Sequence, residues 1–445
     1  MKRKFNAGGA LLVALSVVML CGCSSAGKQA AETEEGLPVI NLSENVKQVS
    51  ALHLSDAVDH VDIVRLETTD QSLIGRMVDL IVTSNDIWIY SYNDDQRVYR
   101  FSRDGKFRNA VGKQGQGPGE YNRLNSFYVD DEAKEVYILA TSTGVRVYDY
   151  EGNYKRGQTK DLFNTALSTV VDSRGIILHG GEAIATQHQF IMRPIPEDSI
   201  ASLLWMDGNF NVEKMYKNPA YVGREAEILE NTLRYDKFVN YFVEEPVAWD
   251  VYDNELTFKF DYTDTIYTYR KEDRTLLPKY AISSSEAKGN YADTHRLAKD
   301  LSDFNYLTLT DYYAARDYIY LMGYKGAQRL TYRYDKRDKS VQMTKRDTKL
   351  LNRRFGAANT FHYFEDEGEP RLILNDDICG GIFRTRYHSE GKYWVNVLQP
   401  GFPEYDEAVE ELRNSPDAPR KQELLNVIDR TDDEDNPILL IAVLK

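Results

Sequence analysis

One short unit constrains the fold of this chain more than any other feature: a strand, a tight turn, a return strand and a glycine-rich connector. The unit is clearest in residues 97–130, where RVYRFSR and KFRNAV flank Asp104-Gly105 and are followed by GKQGQGPGEY and a new strand. An Asp-Gly pair supplies the positive φ angles that a two-residue hairpin needs. The unit therefore predicts an antiparallel hairpin, a loop and the start of another sheet.

The same turn signal recurs at intervals of roughly 47 to 66 residues, each time after a run of β-branched and aromatic residues. The further turns are Glu151-Gly152, Asp207-Gly208, Glu272-Asp273-Arg274, Lys336-Arg337-Asp338 and Glu390-Gly391. Irregular spacing is expected when repeats carry loops of different length. The 31 tyrosines also favour strands, because tyrosine has an apolar body and a polar tip.

These strand-like runs predict the strands of two sheets. The first would contain residues 61–67, 77–83, 86–91 and 97–102. The second would contain residues 124–130, 135–140, 144–150 and the segment from Asn153. Such sheets cannot bury their faces alone, but they can when they are stacked radially. The repeat thus predicts an all-β six-bladed β-propeller of four-stranded antiparallel blades over residues 37–445.

Four further segments strengthen this prediction: LPVINL (37–42), VRLETTDQSLIG (64–75), GKQGQGPGEY (112–121) and DDEDNPILLIAVLK (432–445). With them the chain resembles the six-bladed β-propeller lipoproteins of Gram-negative bacteria, which are akin to NHL-repeat and TolB-like propellers. The resemblance implies that strands from both chain ends close the ring, with residues 438–444 pairing near the N-terminal segment.

The N-terminus predicts the cellular location. Three cations at positions 2–4 precede an apolar stretch, residues 8–20, that is too short to span a bilayer well. It ends in Leu20-Cys21-Gly22-Cys23, which resembles the lipobox of bacterial lipoproteins. The resemblance implies a signal peptide over residues 1–22, lipid on Cys23 and an outer-membrane lipoprotein that faces the periplasm or the exterior. The alternative is an ordinary signal peptide that is cut elsewhere.

Residues 23–36 are small and polar, which predicts a flexible tether between the lipid and the propeller. The formal charge is −14, so non-specific nucleic-acid binding is excluded. Cys379 would have no partner once Cys21 is cleaved away and Cys23 is acylated. It lies beside apolar residues, and we interpret it as a buried, inert thiol instead of a nucleophile.

The sequence contains one helical region, residues 403–430, placed before the last strand. Tyr405, Val409 and Leu412 share one helical face, and Ser415-Pro416 ends that helix. A second short helix with apolar residues Leu424, Leu425 and Ile428 follows. This insertion is predicted to cover the core, and docking of a partner protein is the alternative.

No sequence motif supports catalysis, a metal or a cofactor. The seven histidines show neither i, i+4 spacing nor an H-E-x-x-H setting, although ligands from separate blades could still converge. The acidic runs at residues 130–132 and 432–435 lack the glycine and terminal glutamate of an EF-hand, and they predict solvated turns. Trp88, Trp205, Trp249 and Trp394 lie in strand-like runs, so core packing is expected, with stacking on sugar rings as the alternative.

GKQGQGPGEY is not a P-loop, because no lysine follows its last glycine and a strand, not a helix, comes next. We interpret it as a tight loop between blades. Propellers usually bind ligands at the central channel, so the polar residues of this loop are the candidate ligand contacts: Lys113, Gln114, Glu120, Tyr121 and Arg123.

Three functions fit these features. The first is a non-enzymatic, lipid-anchored module that binds an envelope protein or a glycan. The second is a propeller-type enzyme, such as a metal-dependent lactonase-like hydrolase or a polysaccharide lyase, with its site at the central channel. The third is an assembly component that docks through residues 403–430.

Overall fold

The computed structural model describes residues 36–92, 96–140, 144–158, 176–179, 182–186, 203–206, 212–224, 233–236, 239–241, 247–260, 263–285, 306–355, 359–364 and 372–445. Within these ranges the chain is an all-β propeller with two α-helices. No helix in this part of the chain is both long and apolar enough to cross a bilayer.

The strands follow one another closely along the first half of the chain. The first are β1 (Val39–Asn41), β2 (Lys47–Gln48) and β3 (Val58–Arg65). Eight follow: β4 (Arg76–Val82), β5 (Asp86–Tyr92), β6 (Val98–Ser102), β7 (Phe107–Val111), β8 (Leu124–Asp130), β9 (Glu135–Ala140), β10 (Gly144–Asp149) and β11 (Tyr154–Gln158). The next are β12 (Ile176–His179), β13 (Glu182–Thr186), β14 (Leu203–Met206), β15 (Val212–Tyr216), β16 (Leu233–Asp236) and β17 (Val239–Tyr241).

The second half of the chain continues the series. Its first strands are β18 (Ala248–Tyr252), β19 (Glu255–Lys259), β20 (Thr265–Arg270), β21 (Thr275–Ser283), β22 (Leu307–Ala314), β23 (Tyr318–Lys325), β24 (Gln328–Asp335) and β25 (Val341–Asp347). The last are β26 (Leu350–Phe355), β27 (Asn359–Phe364), β28 (Leu372–Asn375), β29 (Ile382–Thr385), β30 (Tyr387–Ser389), β31 (Tyr393–Leu398) and β32 (Ile438–Leu444).

Consecutive strands pair into antiparallel sheets: β4–β7, β8–β11, β12–β15, β18–β21 and β22–β25. A further sheet has the order β30-β31-β32-β3, and β16–β17, β26–β27 and β28–β29 form two-stranded ribbons. The first strands of neighbouring sheets contact each other, β30 with β4, β4 with β8, β8 with β12 and β18 with β22. Sheets that meet through their first strands are arranged radially, as in a propeller.

The apolar core lies between adjacent sheets. One cluster combines Trp88 and Val98 of the β4–β7 sheet with Phe127 and Ile138 of the β8–β11 sheet. Strand β9 is buried along all six of its residues, and its Val136, Ile138 and Ala140 belong to this cluster. The β-branched and aromatic runs of the sequence therefore form strands that are buried on both sides.

The blade count and composition correct the prediction of six four-stranded blades. The structure shows five full blades: β4–β7, β8–β11, β18–β21, β22–β25 and the sheet of β30, β31, β32 and β3. Side chains are described along most of these five sheets, whereas in the β12–β15 sheet only the backbone of β12 and β13 is described. Two of the five blades have a fifth strand, because β1 pairs in parallel with β21 and β2 with β25. The N-terminal segment thus passes along exposed sheet edges, whose free N–H and C=O groups accept an added strand.

The closure of the propeller confirms one prediction and corrects another. Strand β32 pairs with β3, so both chain ends do share a blade. The sequence placed residues 61–67 in the first sheet, and this was wrong: β3 lies in the last sheet, and β7 is the fourth strand of the first. The sequence of β3 does not distinguish the first sheet from the last. Its place in the last sheet is set by β32, which pairs with β3 on one side and with β31 on the other.

The predicted hairpins are largely confirmed. Gly105, with a φ of +84°, connects β6 and β7, and Gly152, with a φ of +89°, connects β10 and β11. The turns at 272–274 and 336–338 likewise join the last two antiparallel strands of their blades. Glu390-Gly391 instead joins the first two strands of the closing blade, and Asp207-Gly208 lies outside the described residues.

Two helices form the predicted insertion, α1 (Pro403–Asn414) and α2 (Lys421–Ile428). Proline at the first turn, acidic residues near the start and Arg413 in the last turn favour α1. Tyr405 and Leu412 of α1 and Leu424 and Ile428 of α2 are buried in one cluster with the closing blade. The insertion therefore covers the core, as predicted.

Candidate functional site

The glycine-rich connector between β7 and β8 folds back on itself. Tyr121 is fully buried, and its hydroxyl donates a hydrogen bond of 2.6 Å to the carbonyl oxygen of Gln96. The N–H of Gly115 donates to the Tyr121 carbonyl over 2.9 Å, and the N–H of Tyr121 donates to the Lys113 carbonyl over 3.2 Å. The connector is therefore a tight loop between blades, which agrees with the structural interpretation of its sequence.

An ion pair closes the loop at its surface. The Lys113 Nζ lies 2.8 Å from a carboxylate oxygen of Glu120, and the N–H of Gly117 donates to the same carboxylate over 2.7 Å. The hydrogen bond from Lys113, together with that from Gly117, lowers the pKa of Glu120. The carboxylate thus serves first to hold the loop in shape.

The five predicted ligand contacts meet in this connector but differ in accessibility. Tyr121 is buried, whereas the Lys113 side chain is 67% exposed and Arg123 is exposed. The Gln114 amide donates to the Asn122 carbonyl over 2.8 Å. A ligand role for these residues stays a prediction; Lys113, Gln114 and Arg123 are the exposed members, and of these Lys113 is already paired with Glu120.

Replacing Gly112 with alanine should destabilise the protein by about 1–3 kcal/mol. Gly112 has a φ of +87°, and an added Cβ would lie 2.5 Å from the Tyr121 hydroxyl and 2.6 Å from Ile138 Cδ1. Gly326→Ala is the matched control, since that glycine also has a positive φ but no atom within 4 Å of an added Cβ. Urea unfolding measures both, and equal losses would contradict the predicted clash at Gly112.

A second polar cluster, which the sequence did not predict, forms where the first strands of three blades meet. It consists of Trp249 and Asp250 of β18, Tyr313 of β22 and His388 of β30, and is called the His388 cluster below. The imidazole ring centre lies 5.1 Å from that of Trp249, at 54°, and 5.4 Å from that of Tyr313, at 82°. The His388 side chain is 25% exposed, so solvent reaches the cluster.

Asp250 fixes the position of the imidazole. Its Oδ1 lies 3.3 Å from His388 Nδ1, and its Oδ2 accepts a 2.5 Å hydrogen bond from the N–H of Ala314. The Asp250 side chain is only 3% exposed. Next to His388, the hydroxyl of Ser389 accepts a 3.0 Å hydrogen bond from the N–H of Val82 in β4. Four first strands are therefore joined at this level.

The electrostatic environment of His388 is acidic. Burial alone would lower the pKa of His388, but the hydrogen bond and charge of Asp250 raise it above its ordinary value. The charges of Asp311 and Asp79 act in the same direction. These two carboxylates lie on β22 and β4 and are partly exposed. These carboxylates therefore favour the protonated, cationic form of the imidazole.

A pH titration should show this effect directly. We expect the pKa of His388, followed by the NMR signals of its ring, to lie above about 6.5. Asp250→Asn should lower this pKa, whereas Asp70→Asn, at an exposed position, should leave it unchanged. An unshifted titration in the unsubstituted protein would contradict the proposed pairing.

The four tryptophans differ in burial, and this difference points to the His388 cluster. Trp88, Trp205 and Trp394 are buried, as predicted for core residues. Trp249 differs, because it is partly exposed and directly precedes a buried Asp250. The adjacent Trp249 and Asp250 in the first strand of a blade were therefore a sequence signal for this cluster. The signal could not have identified His388, because that residue is far away in sequence.

Other features offer less chemistry. A groove of about 380 Å³ is lined by Arg65, Leu66, Glu67, Thr68, Lys106 and Asp435. Its charges pair with one another, Arg65 with Asp435 at 2.6 Å and Lys106 with Glu67 at 3.6 Å. Among the described residues, no three His, Cys, Asp or Glu side chains are grouped to hold a metal ion.

Cys379 is the one cysteine within the described residues. Cys379 is buried, and burial raises the pKa of its thiol to about 12, so it is protonated and unreactive at neutral pH. Cys23, the predicted lipid attachment site, lies outside the described residues together with the rest of the leader and most of the tether.

Known structures share the fold. A Bacteroides fragilis NCTC 9343 protein described as exported is 16% identical with a TM-score of 0.57, and the match covers 92% of this chain and 100% of that one. The extracellular domain of a one-component system from B. thetaiotaomicron is 12% identical with a TM-score of 0.33, covering 74% of this chain and 34% of that one. The first match supports the propeller fold, and the second is too weak to add to it.

No curated protein matches the chain by sequence. A family match does exist, to a domain of unknown function, DUF4934, over residues 37–443. The match spans the propeller from β1 almost to the end of β32 and includes the helical insertion. The resemblance to NHL-repeat and TolB-like propellers stays a prediction. The chain belongs to the DUF4934 family.

Proposed function

We propose that the chain is a non-enzymatic binding module of the cell envelope, and that its ligand site is the His388 cluster. One observation carries this proposal: Trp249, Tyr313 and Asp250 converge on a partly exposed His388 from neighbouring blades. Aromatic faces beside a few fixed polar groups are the usual composition of a small-molecule site. The centre of a propeller is also the place where side chains from several blades reach one ligand.

The proposed location rests on the sequence of the N-terminus. The lipobox-like sequence at Cys23 supports a lipid anchor in the outer membrane, with residues 24–36 as a tether. The likeness to a protein described as exported supports an envelope location more generally. Cys23→Ser should abolish incorporation of labelled palmitate and release the protein from the membrane fraction. Retention of label in this variant would contradict the assignment of Cys23.

The ligand site is tested by screening a panel of glycans and envelope peptides. Trp249→Ala should weaken the binding of any hit about tenfold, or about 1.4 kcal/mol, because a stacking face is lost. Tyr154→Ala is the matched control, since this tyrosine is 43% exposed on β11, the outer strand of another blade. Circular dichroism and thermal unfolding test whether both variants fold.

The outcome also distinguishes the two predicted sites. Lys113→Ala and Arg123→Ala should leave binding unchanged if the His388 cluster is the site. Loss of binding in these variants with retention in Trp249→Ala would move the site to the connector loop. A ligand that tolerates all three substitutions would contradict both locations.

An enzymatic function keeps one supporting observation, the pairing of His388 with Asp250 at 3.3 Å, since such a pair can donate and accept a proton. Turnover of a glycan or lactone that is lost in His388→Asn would favour it over binding alone. Docking through α1 and α2 receives less support, because the buried faces of both helices are part of the core.

We also infer that the β12–β15 sheet is a sixth blade. It has four antiparallel strands, it lies in sequence between two described blades, and β12 contacts the first strand β8. This arrangement supports the resemblance to six-bladed lipoproteins. An experimental structure with a different number of blades around the axis would contradict it.

A further inference from the structure

We propose that residues 375–381, which connect β28 to β29, hold the helical insertion more firmly when the Asp376 carboxyl is protonated than when it is ionised. This segment is called the Asp376 turn below. None of its residues belongs to the His388 cluster or to the connector loop, so the pH response of the insertion can be tested separately from ligand binding.

The Asp376 turn is fastened to the N-terminal segment. The N–H of Asn375 donates a 2.8 Å hydrogen bond to the Leu52 carbonyl. The Asp377 carboxylate accepts hydrogen bonds from the N–H and the hydroxyl of Ser55, over 3.0 Å and 2.5 Å. The segment that leads into β3 of the closing blade is therefore held by the turn.

The same turn holds the helical insertion. The N–H of Arg420, which directly precedes α2, donates a 2.9 Å hydrogen bond to the Ile378 carbonyl. The N–H of Gly381 donates a 3.0 Å hydrogen bond to the hydroxyl of Ser415, which directly follows α1. Both helices are thus attached to the turn at the ends that their short connection joins, so a change in the turn alters their attachment.

Asp376 organises the turn from inside. Its Oδ1 accepts hydrogen bonds from the N–H of Ile378 over 3.0 Å and from the N–H of Cys379 over 2.7 Å. Its Oδ2 is buried and has no hydrogen-bond partner within the described part of the chain, and the residue is only 2% exposed. A buried carboxylate with an unpaired oxygen is unfavourable when ionised, and burial raises the pKa of Asp376 to about 6.

The charged groups near the turn do not favour the ionised form. The charge of Asp377 has the same sign and also raises the pKa of Asp376. The Arg420 guanidinium is held by the Glu423 carboxylate over 2.6 Å and 2.7 Å. The Lys421 ammonium donates to two backbone carbonyls. The cations at the start of α2 therefore have other partners, and the Asp376 carboxylate carries its charge without one.

The direction of the pH effect follows from the two states of Asp376. An unfolded aspartate has a pKa of about 3.9, so between about pH 4 and pH 6 the folded turn retains a proton that the exposed side chain would release. The stabilisation by this proton is complete below about pH 4 and is lost as the pH rises through about 6. Opening of the insertion should therefore become about tenfold more favourable between about pH 5 and pH 7.5.

Hydrogen–deuterium exchange of backbone amides, corrected for the intrinsic pH dependence of exchange, measures this opening. In the unsubstituted protein, opening of α2 relative to that of β9 should increase about tenfold from about pH 5 to pH 7.5. Asp376→Asn keeps an acceptor for Ile378 and Cys379 but cannot ionise, so the increase should vanish. Asp417→Asn, at an exposed position between the two helices, is the matched control and should retain it.

A second variant separates Asp376 from a nearby histidine. His53 Nδ1 lies 3.8 Å from the Asp377 carboxylate, and histidine side chains change charge in this pH range. His53→Gln should keep the tenfold increase if Asp376 causes it. Equal opening of α2 relative to β9 at both pH values in the unsubstituted protein would overturn the proposal. An increase that persists in Asp376→Asn or disappears in His53→Gln would do the same. If Asp376→Asn does not fold, the unsubstituted protein and His53→Gln still decide the question.

Discussion

Replacing Ile441 with alanine is expected to lower the free energy of unfolding by about 2–5 kcal/mol. Ile441 is fully buried in β32, the strand that joins the C-terminus to β3 from the N-terminal segment. Its side chain packs in one cluster with Leu439 and Val395, whereas Leu440 packs on the opposite side of the strand. A cavity at this position therefore weakens the one blade that is built from both ends of the chain.

Urea unfolding followed by tryptophan fluorescence measures this loss. Ile441→Val is the matched control and should cost only about 0.5–1.5 kcal/mol, because it removes a single methyl group. A loss below about 1 kcal/mol in Ile441→Ala would mean that the closing strand contributes little to the stability of the ring.

Asp250→Ala is expected to be nearly as damaging, with a loss of about 3 kcal/mol in the free energy of unfolding. The substitution removes the acceptor for the Ala314 N–H and the counter-charge of His388 in one step. The loss should be largest below about pH 6.5, where His388 is charged in the folded and unfolded chains. It should shrink as the pH rises through the raised pKa of His388.

Two controls separate the contributions of Asp250. Asp250→Asn keeps an acceptor for Ala314 and should recover roughly half of the lost stability, with a weaker dependence on pH. Asp70→Ala, at an exposed position, should change stability by less than about 0.5 kcal/mol. A loss in Asp250→Ala that does not vary with pH would show that the ion pair with His388 contributes nothing.

The sequence led to the hairpins but not to the assignment of every strand. Residues 124–158 formed the predicted sheet because each turn and each strand in it is specified by neighbouring residues. Strand β3 was assigned to the wrong sheet because its partner β32 lies at the other end of the chain. The edge strands β1 and β2 were missed for the same reason, since each pairs with a strand from a distant repeat.

The two candidate sites differ in the same way: one is formed by residues that are adjacent in sequence, and the other by residues that are distant in sequence. The connector loop attracted attention because its glycines and polar residues are adjacent in sequence, yet Tyr121 and Glu120 mainly hold the loop together. The His388 cluster has no such local pattern. Trp249 and Tyr313 come from neighbouring blades, and His388 comes from the closing blade.

The sequence by itself determined the β-rich class, the hairpin turns and the helical insertion, because these depend on φ preferences and on apolar spacing within a few residues. The tertiary structure alone decided how the ring closes, which edges the N-terminal segment covers and which side chains meet on the first strands. These features depend on surfaces that exist only after the blades have packed against one another, so no single stretch of the chain specifies them.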